Sequence, residues 1–194
     1  MRRFVRIFNV TEETRVLDVG GTPFNWSLIP VRPRLVILNQ SRVENASDGH
    51  TLWVTGDGRL LPFSDQSFDV VFSNSVIEHV GSVAGQRKFA AEIARVGVHY
   101  WVQTPNRWFP VEPHLLTPFL HFLPARWQDR LVRKCTVWAM LARPSRDRWQ
   151  YYIEHYLREV RLLGPVEMGS LFPGSKILKE RFLGLTKSLI AAKQ

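Results

Sequence analysis

Small and polar residues follow the apolar runs near the start of this sequence. Gly20 and Gly21 come directly after the run Arg15–Val19, and Asn39 comes directly after the next run. Glycines lack a Cβ, so the backbone can turn sharply and approach a ligand closely. Asn39 lies 21 positions after Asp18, an offset typical of the side chain that binds ribose hydroxyls. These residue types at this spacing predict a site for a nucleotide-type cofactor.

A third group of small and polar residues, Gly56-Asp57-Gly58, belongs to the same predicted site. The carboxylate of Asp57 could accept a hydrogen bond from an exocyclic amine such as adenine N6, with the backbone amides of Gly58 and Arg59 nearby. Asp18 could either order the glycine turn or accept a hydrogen bond from a cationic group of the ligand.

The elements that must position these residues follow from apolar patterning. Short apolar runs bounded by glycines and prolines are typical of buried parallel strands, and a 3.6-residue repeat of apolar positions predicts a helix. The pattern predicts strands over 15–19, 35–38, 51–54, 68–73 and 99–103, helices over 23–29, 87–96 and 150–163, and a closing hairpin of 176–182 with 186–192. Alternating strands and helices indicate a parallel, doubly wound α/β sheet.

Composition narrows the class of protein. A length of 194 residues with 45% apolar residues favours one globular domain with a sizeable core. Because there is a single cysteine, Cys135, and no signal-peptide pattern, we expect a cytoplasmic protein without internal disulfides, and we predict no metal site. The net charge of +9 permits an anionic partner without identifying one.

Four motifs in this order resemble those of class I S-adenosylmethionine-dependent methyltransferases of the methyltransferase type 11 kind. The resemblance rests on RVLDVGG, LVILN, GDGRLLPFSDQSFDVVFSNSVIEHV and VQTPN. It implies a three-layer Rossmann-like fold, with a mostly parallel seven-stranded sheet and an antiparallel last strand, formed by residues 1–194 as one domain. It also implies S-adenosylmethionine as the cofactor, bound by Asp18, Gly20, Gly21, Asn39, Asp57, Gly58 and Asn74. Asn39 departs from the family, which usually has Asp or Glu at this position.

The resemblance further implies methyl transfer to a small-molecule acceptor, which could be apolar, aromatic or lipid-like. His79 and His114 are candidate general bases, and Asn106, Trp108 and Glu112 are candidate acceptor-binding residues. Residues 107–150, which contain eight basic residues, three acidic ones and five prolines up to position 148, predict a helical basic-aromatic cover over the acceptor site. A basic amphipathic helix within this segment could instead rest on an anionic membrane surface.

Two other functions stay open from the sequence. A catalytically silent methyltransferase-like binding protein or partner subunit would fit Asn39 and the depleted glycine loop. An RNA methyltransferase is permitted by the positive charge, but VQTPN lacks the Asn/Asp-Pro-Pro-aromatic motif of base methylation, so we expect no nucleic-acid partner. The oligomeric state is not predicted.

Overall fold

Seven of the nine strands form one mixed sheet in the computed structural model, which describes residues 1–41, 51–112, 117–124, 127–128, 145, 147 and 160–194. The other two strands pair with each other as a small antiparallel unit. In chain order the strands are β1 Arg15–Val19, β2 Arg34–Asn39, β3 Thr51–Thr55, β4 Phe68–Asn74, β5 Gly97–Pro105, β6 Val111–Glu112, β7 Thr117–Pro118, β8 Lys176–Phe182 and β9 Leu185–Lys193.

The strand order of the large sheet is β3-β2-β1-β4-β5-β9-β8. The first five strands in this order are parallel, whereas β9 pairs antiparallel with both β5 and β8. This arrangement confirms the predicted seven-stranded sheet and its antiparallel last strand. From β1 the chain adds β2 and β3 on one side, and β4 and β5 then follow on the other side of β1. Such a switch point in strand order opens a crevice at the carboxyl ends of the strands.

Helices cover both faces of the sheet and complete three layers. They are α1 Arg2–Phe8, α2 Pro23–Ser27, α3 Val83–Val96 and α4 Pro165–Leu171, with 3₁₀ helices at Ile77–His79 and Leu120–Phe122. One core cluster contains Phe89 and Ile93 of α3 and Met168 of α4. The opposite cluster contains Phe4 of α1, with Trp26 of α2 packed against it.

The helix α3 begins earlier than the apolar repeat predicts. Ser82 is its N-cap, and the Ser82 hydroxyl accepts a hydrogen bond of 3.2 Å from the backbone N–H of Gly85. A serine cap satisfies a backbone donor of the first turn, so the helix starts at Val83 rather than at residue 87. It ends at Val96, directly before Gly97, as predicted.

The prediction of a helix over 150–163 is wrong for residues 160–163. Residues 160–163 are not helical; the N–H of Arg161 donates to the Glu78 carbonyl at 2.8 Å, and the Leu163 carbonyl accepts from the N–H of Arg107 at 3.0 Å. Backbone pairing with two distant segments therefore replaces helical hydrogen bonds here. Residues 150–159 of this prediction, and most of the amphipathic helix predicted within 107–150, lie outside the described residues. No helix in the described ranges combines the length and apolar character needed to cross a bilayer.

The Phe4 side chain gives a test of how α1 contributes to stability. It is fully buried, and its ring packs against Phe8, Trp26, Phe72 and Trp101 at centroid distances of 4.9–6.0 Å. We expect Phe4→Ala to lower the free energy of unfolding by about 3–5 kcal/mol, because it leaves a cavity among aromatic rings. Chemical denaturation measures this loss.

The control variant is Phe24→Ala, whose side chain is 68% exposed. It should change the free energy of unfolding by less than about 0.5 kcal/mol. Equal losses for the two variants would contradict the packing of α1 on the sheet.

Candidate functional site

A cleft of about 270 Å³ lies at the carboxyl ends of β1, β2 and β3 and is closed on one side by the Ile77–His79 helix. This volume is close to the lower end of the range for ligand pockets. Its lining includes Gly20, Asn39, Asp57, Gly58, Ser75 and His79. Five residues that the sequence assigns to the site therefore meet in one crevice, although they come from four segments of the chain.

The turn after β1 is shaped by two close approaches. Gly20 has φ +77°, and a Cβ on it would lie 2.5 Å from Cγ2 of Val76. A Cβ on Gly21 would lie 1.9 Å from the Oδ2 atom of Asp18. Side chains therefore do not fit at either position. Gly20 lines the cleft, whereas Gly21, also predicted to bind the cofactor, is buried and is not among the lining residues.

Asp18 lies beneath this turn rather than on the surface of the cleft. It is fully buried, its Oδ2 atom accepts a 2.7 Å hydrogen bond from Trp26 Nε1, and its Oδ1 atom has no hydrogen-bond partner in the described part of the chain. Burial raises the pKa of Asp18 to about 7, although the Trp26 hydrogen bond acts in the opposite direction. Of the two roles considered from the sequence, this placement favours ordering the turn.

The Asn39 side chain holds the glycine turn from the neighbouring strand. Its Nδ2 group donates to the Gly21 carbonyl at 3.0 Å, and its Oδ1 atom accepts from the Gln40 N–H at 2.8 Å. A carboxylate has no donor to offer the Gly21 carbonyl. The amide thus performs a local task that the acidic residue usual at this position cannot perform.

The Asp57 carboxylate is held by Arg59. The Arg59 guanidinium donates to both oxygens at 2.6–3.0 Å, and the Arg59 backbone N–H donates to Oδ1 at 2.9 Å. These hydrogen bonds lower the pKa of Asp57 below its ordinary value. The carboxylate is therefore ionised at neutral pH, and any ligand donor must share it with Arg59.

The Glu78-His79 pair ends the 3₁₀ helix beside the cleft, and its two side chains lie in different environments. Glu78 is fully buried, and its Oε2 atom accepts a 3.0 Å hydrogen bond from the Thr104 hydroxyl. His79 is only partly buried and lines the cleft. Histidine is thus the member of the pair that a bound molecule can reach.

A second cavity of about 300 Å³ lies beyond Ser75, at the ends of β4 and β5. Asn74, assigned from the sequence to the cofactor, lines this second cavity rather than the cleft. Asn106 lies beside it but is 6% exposed, and its Nδ2 group donates to the Thr186 carbonyl at 2.8 Å. Asn106 therefore anchors β9 next to the second cavity.

The remaining residues predicted on the acceptor side are Trp108, Glu112 and His114. Trp108 is 62% exposed and stacks on Phe122 at a centroid distance of 6.3 Å. The backbone of Glu112 pairs with Thr117. His114 lies outside the described residues.

Three charged side chains, those of Arg107, Arg161 and Glu167, form ion pairs where the two ends of the segment around residues 107–160 meet. Glu167 accepts hydrogen bonds from the guanidinium groups of Arg107 and Arg161 at 2.6–2.7 Å and from the Gly164 N–H at 2.9 Å. Gln86 of α3 donates to the Arg161 carbonyl at 2.9 Å. The two ends of this segment are therefore tied to each other and to the helix that borders the cleft.

Sequence patterning missed several residues that line the two cavities. The Arg59 side chain, of which only the backbone amide was predicted at the site, and Phe89 border the cleft, and Gln103 and Lys187 border the second cavity. Arg59 could have been found from its position two residues after Asp57, where its side chain can reach the carboxylate. Lys187 carries no local signal, because it reaches the site only through the antiparallel pairing of β9 with β5.

Comparison with known proteins agrees with this geometry. Residues 29–98 match the family model described as a methyltransferase domain. Over 100 residues the chain is 31% identical to the biotin biosynthesis bifunctional protein BioHC of Cellvibrio japonicus. That match covers 48% of this chain and 20% of BioHC, so the chain spans only a small part of this curated relative.

Solved structures share the fold at low sequence identity. The PH0226 protein from Pyrococcus horikoshii is 16% identical with a TM-score of 0.57, over 98% of this chain and 85% of that chain. Phosphoethanolamine N-methyltransferase 2 from Haemonchus contortus, solved with S-adenosyl-L-methionine, is 15% identical with a TM-score of 0.56, over 91% of this chain and 37% of that chain.

The buried Asp18 carboxyl should make the stability of the cofactor-free protein depend on pH. Its pKa is higher in the folded protein than in the unfolded chain. Its contribution to the free energy of unfolding is therefore complete below about pH 4 and is lost as pH rises to about 7. Asp18→Asn is neutral at every pH. We therefore expect the melting temperature of this variant, relative to the native protein, to rise between pH 4 and 7 and then level off.

The matched control is Asp69→Asn, because the hydrogen bonds and charge of Arg15 lower the pKa of Asp69. Both folded and unfolded states then carry this carboxylate ionised over most of the pH 4–8 range, so the difference from the native protein should be nearly constant. A constant difference for Asp18→Asn as well would contradict the raised pKa.

The contact between Gly21 and Asp18 predicts a large effect of one added methyl group. Gly21→Ala should destabilise the protein by about 1–3 kcal/mol, because the new Cβ overlaps the buried carboxyl. Gly169→Ala is the control, since Gly169 lies within α4 and a Cβ there meets nothing within 4 Å. This control should stabilise by up to about 1 kcal/mol, and denaturant titration of both variants compares them.

Proposed function

Because the chain belongs to the class I S-adenosylmethionine-dependent methyltransferases, we propose that it transfers the methyl group of this donor to a small-molecule acceptor. The observation that carries the proposal is the meeting of Gly20, Asn39, Asp57 and Gly58 in one cleft at the strand ends. These are the positions at which the family motifs hold the donor. The biosynthetic role named for BioHC favours a small molecule as the acceptor.

The donor side of the cleft would bind through groups that the chain already orients. The turn at Gly20 and Gly21 would offer backbone to the ligand, the Asn39 amide would bind the ribose hydroxyls, and the ionised Asp57 would accept a hydrogen bond from the adenine amine. Asp18 acts from below, by fixing the turn. The fit is chemical: neutral amide and backbone groups suit hydroxyls, and a carboxylate suits an amine.

The reaction requires an acceptor nucleophile beside the donor's sulfonium. When bound, S-adenosylmethionine supplies an electrophilic methyl group, whose bond to sulfur breaks as the acceptor's lone pair forms the new bond. The chain must orient the acceptor and exclude water from the line of attack. We assign His79 to proton removal where the acceptor needs it, because an imidazole can take a proton near neutral pH. His114 remains a second candidate.

Residues 107–150 are proposed to cover the acceptor, as one region within a single domain formed by residues 1–194. Trp108 and Glu112 would belong to this cover, and Asn106 would hold its base against β9. We place the protein in the cytoplasm, without a nucleic-acid partner, and the basic segment could contact an anionic membrane surface peripherally.

A silent binding protein is the second candidate, and two observations favour it. Asn39 is engaged with Gly21 and Gln40, and Asp57 is engaged with Arg59. Both side chains must share or exchange these bonds to hold a donor. Calorimetry with S-adenosylmethionine and S-adenosylhomocysteine decides between the two, because binding of neither would overturn the enzyme proposal.

Paired variants test the role of Asp57. Asp57→Ala should weaken S-adenosylmethionine binding about tenfold to a hundredfold, because a charge-assisted hydrogen bond to the adenine amine is lost. Isothermal titration calorimetry measures the dissociation constant.

The control is Arg59→Ala, which removes the ion pair but keeps the carboxylate. Its affinity for the donor should be equal to or higher than that of the native protein. If both variants lose affinity equally, Asp57 acts by holding Arg59 and the adenine assignment fails.

A further inference from the structure

The cleft and the second cavity share one residue as their common wall. Ser75 lines both of them, and it is exposed, with a φ of +57°. Its backbone N–H donates to the Gln103 carbonyl at 3.0 Å, which holds this strained residue directly after β4. A left-handed conformation is uncommon for serine and is kept where the surroundings enforce it. A molecule in the second cavity would therefore lie beside a molecule in the cleft.

Asn74 lines the second cavity and has a side-chain atom without a hydrogen-bond partner among the described residues. The Oδ1 atom of Asn74 is buried and accepts no hydrogen bond from any described residue. An unsatisfied buried acceptor is unfavourable, so this position suits a ligand that brings an N–H or O–H donor. Asn74 is next to Ser75, so this donor would lie close to the shared wall.

The rest of the lining combines apolar residues, the polar residues Gln103 and Ser188, and one charged residue. Pro105, Phe109 and Val111 supply apolar surface, and Lys187 is the one formally charged residue among those that line this cavity in the described ranges. Lys187 is exposed at the start of β9, and its backbone carbonyl accepts from the Asn106 N–H at 2.9 Å. The second cavity thus combines the Asn74 amide, an apolar surface and a cation at its rim.

We propose that the second cavity is the acceptor site and that the acceptor is a small anionic compound with a hydroxyl or amine nucleophile. The inference rests on the proposed function. Asn74 accepts a hydrogen bond from the nucleophile, Lys187 pairs with the anionic group, and Phe109 contacts the apolar body between them. The nucleophile's lone pair forms the bond to the methyl carbon, the electron pair of the carbon–sulfur bond stays on sulfur, and the nucleophile's proton passes to the imidazole of His79, the base assigned above.

Two matched sets of probes test this chemistry on protein saturated with S-adenosylhomocysteine. The aromatic set is 4-hydroxybenzoate, 4-hydroxybenzamide and 4-methoxybenzoate; the aliphatic set is 4-hydroxybutyrate and 4-hydroxybutyramide. In at least one set, the anion should bind about three- to fivefold more tightly than its neutral amide, a modest factor because Lys187 is exposed. 4-Methoxybenzoate, which has no donor, should bind about tenfold more weakly than 4-hydroxybenzoate.

Variants link each preference to its residue. Lys187→Gln should abolish the preference for the anion, whereas Lys179→Gln, the same charge change on the neighbouring strand β8, should leave it intact. Asn74→Ala should abolish the preference for the hydroxyl over the methoxy compound. Dissociation constants come from calorimetry, and circular dichroism checks that each variant is folded.

The outcomes separate the inference from the proposed function. Binding of S-adenosylhomocysteine without any preference for the anions, or a preference that Lys179→Gln removes as fully as Lys187→Gln, overturns the inference and leaves the proposed function standing. Failure of S-adenosylhomocysteine itself to bind overturns the proposed function instead.

Discussion

The buried carboxyl of Asp18 is the constraint on which the donor side of the site depends. It occupies the space where a side chain at position 21 would lie, so the turn after β1 must be made of glycine. Its hydrogen bond to Trp26 joins the turn to α2, and Trp26 in turn packs edge-on against Phe4 of α1 and Phe72 of β4. The shape of the cleft floor is thus supported by an aromatic cluster on the far face of the sheet.

Burial of this carboxyl has an electrostatic consequence for the cleft. A fully buried acid without an ion-pair partner is stabilised in its neutral form, which agrees with the raised pKa of Asp18. The ionised carboxylate of the site is instead Asp57, where Arg59 provides the compensating charge. Two aspartates near the carboxyl ends of β1 and β3 therefore have different tasks: Asp18 holds the turn, and Asp57 is a candidate ligand group.

Much of this architecture could be predicted from the sequence, because it depends on local patterns. The parallel strands and the closing hairpin appear as apolar runs, and three of the four motifs place Gly20, Asn39, Asp57 and Gly58 at strand ends. Residues 160–163 were predicted to be helical from their apolar spacing, but they pair with Glu78 and Arg107 instead. Such long-range backbone pairing leaves no periodic signal in the segment itself.

The functional difference between Asp18, Asn39 and Asp57 also depends on tertiary contacts. Their residue types indicate hydrogen bonding, but only the fold shows that Asn39 donates to Gly21 and that Asp18 is covered by the turn. The same reasoning applies to Glu167, which was not singled out from the sequence.

Glu167 joins the two ends of the segment around residues 107–160 through Arg107 and Arg161. Arg161 also pairs through its backbone with Glu78, which directly precedes His79 in the cleft. A helix cap, two arginines and the 3₁₀ helix therefore form one connected unit. Since the Glu167 carboxylate bonds both arginines and the Gly164 N–H at the start of α4, the base of this segment and the histidine side of the cleft are fixed together.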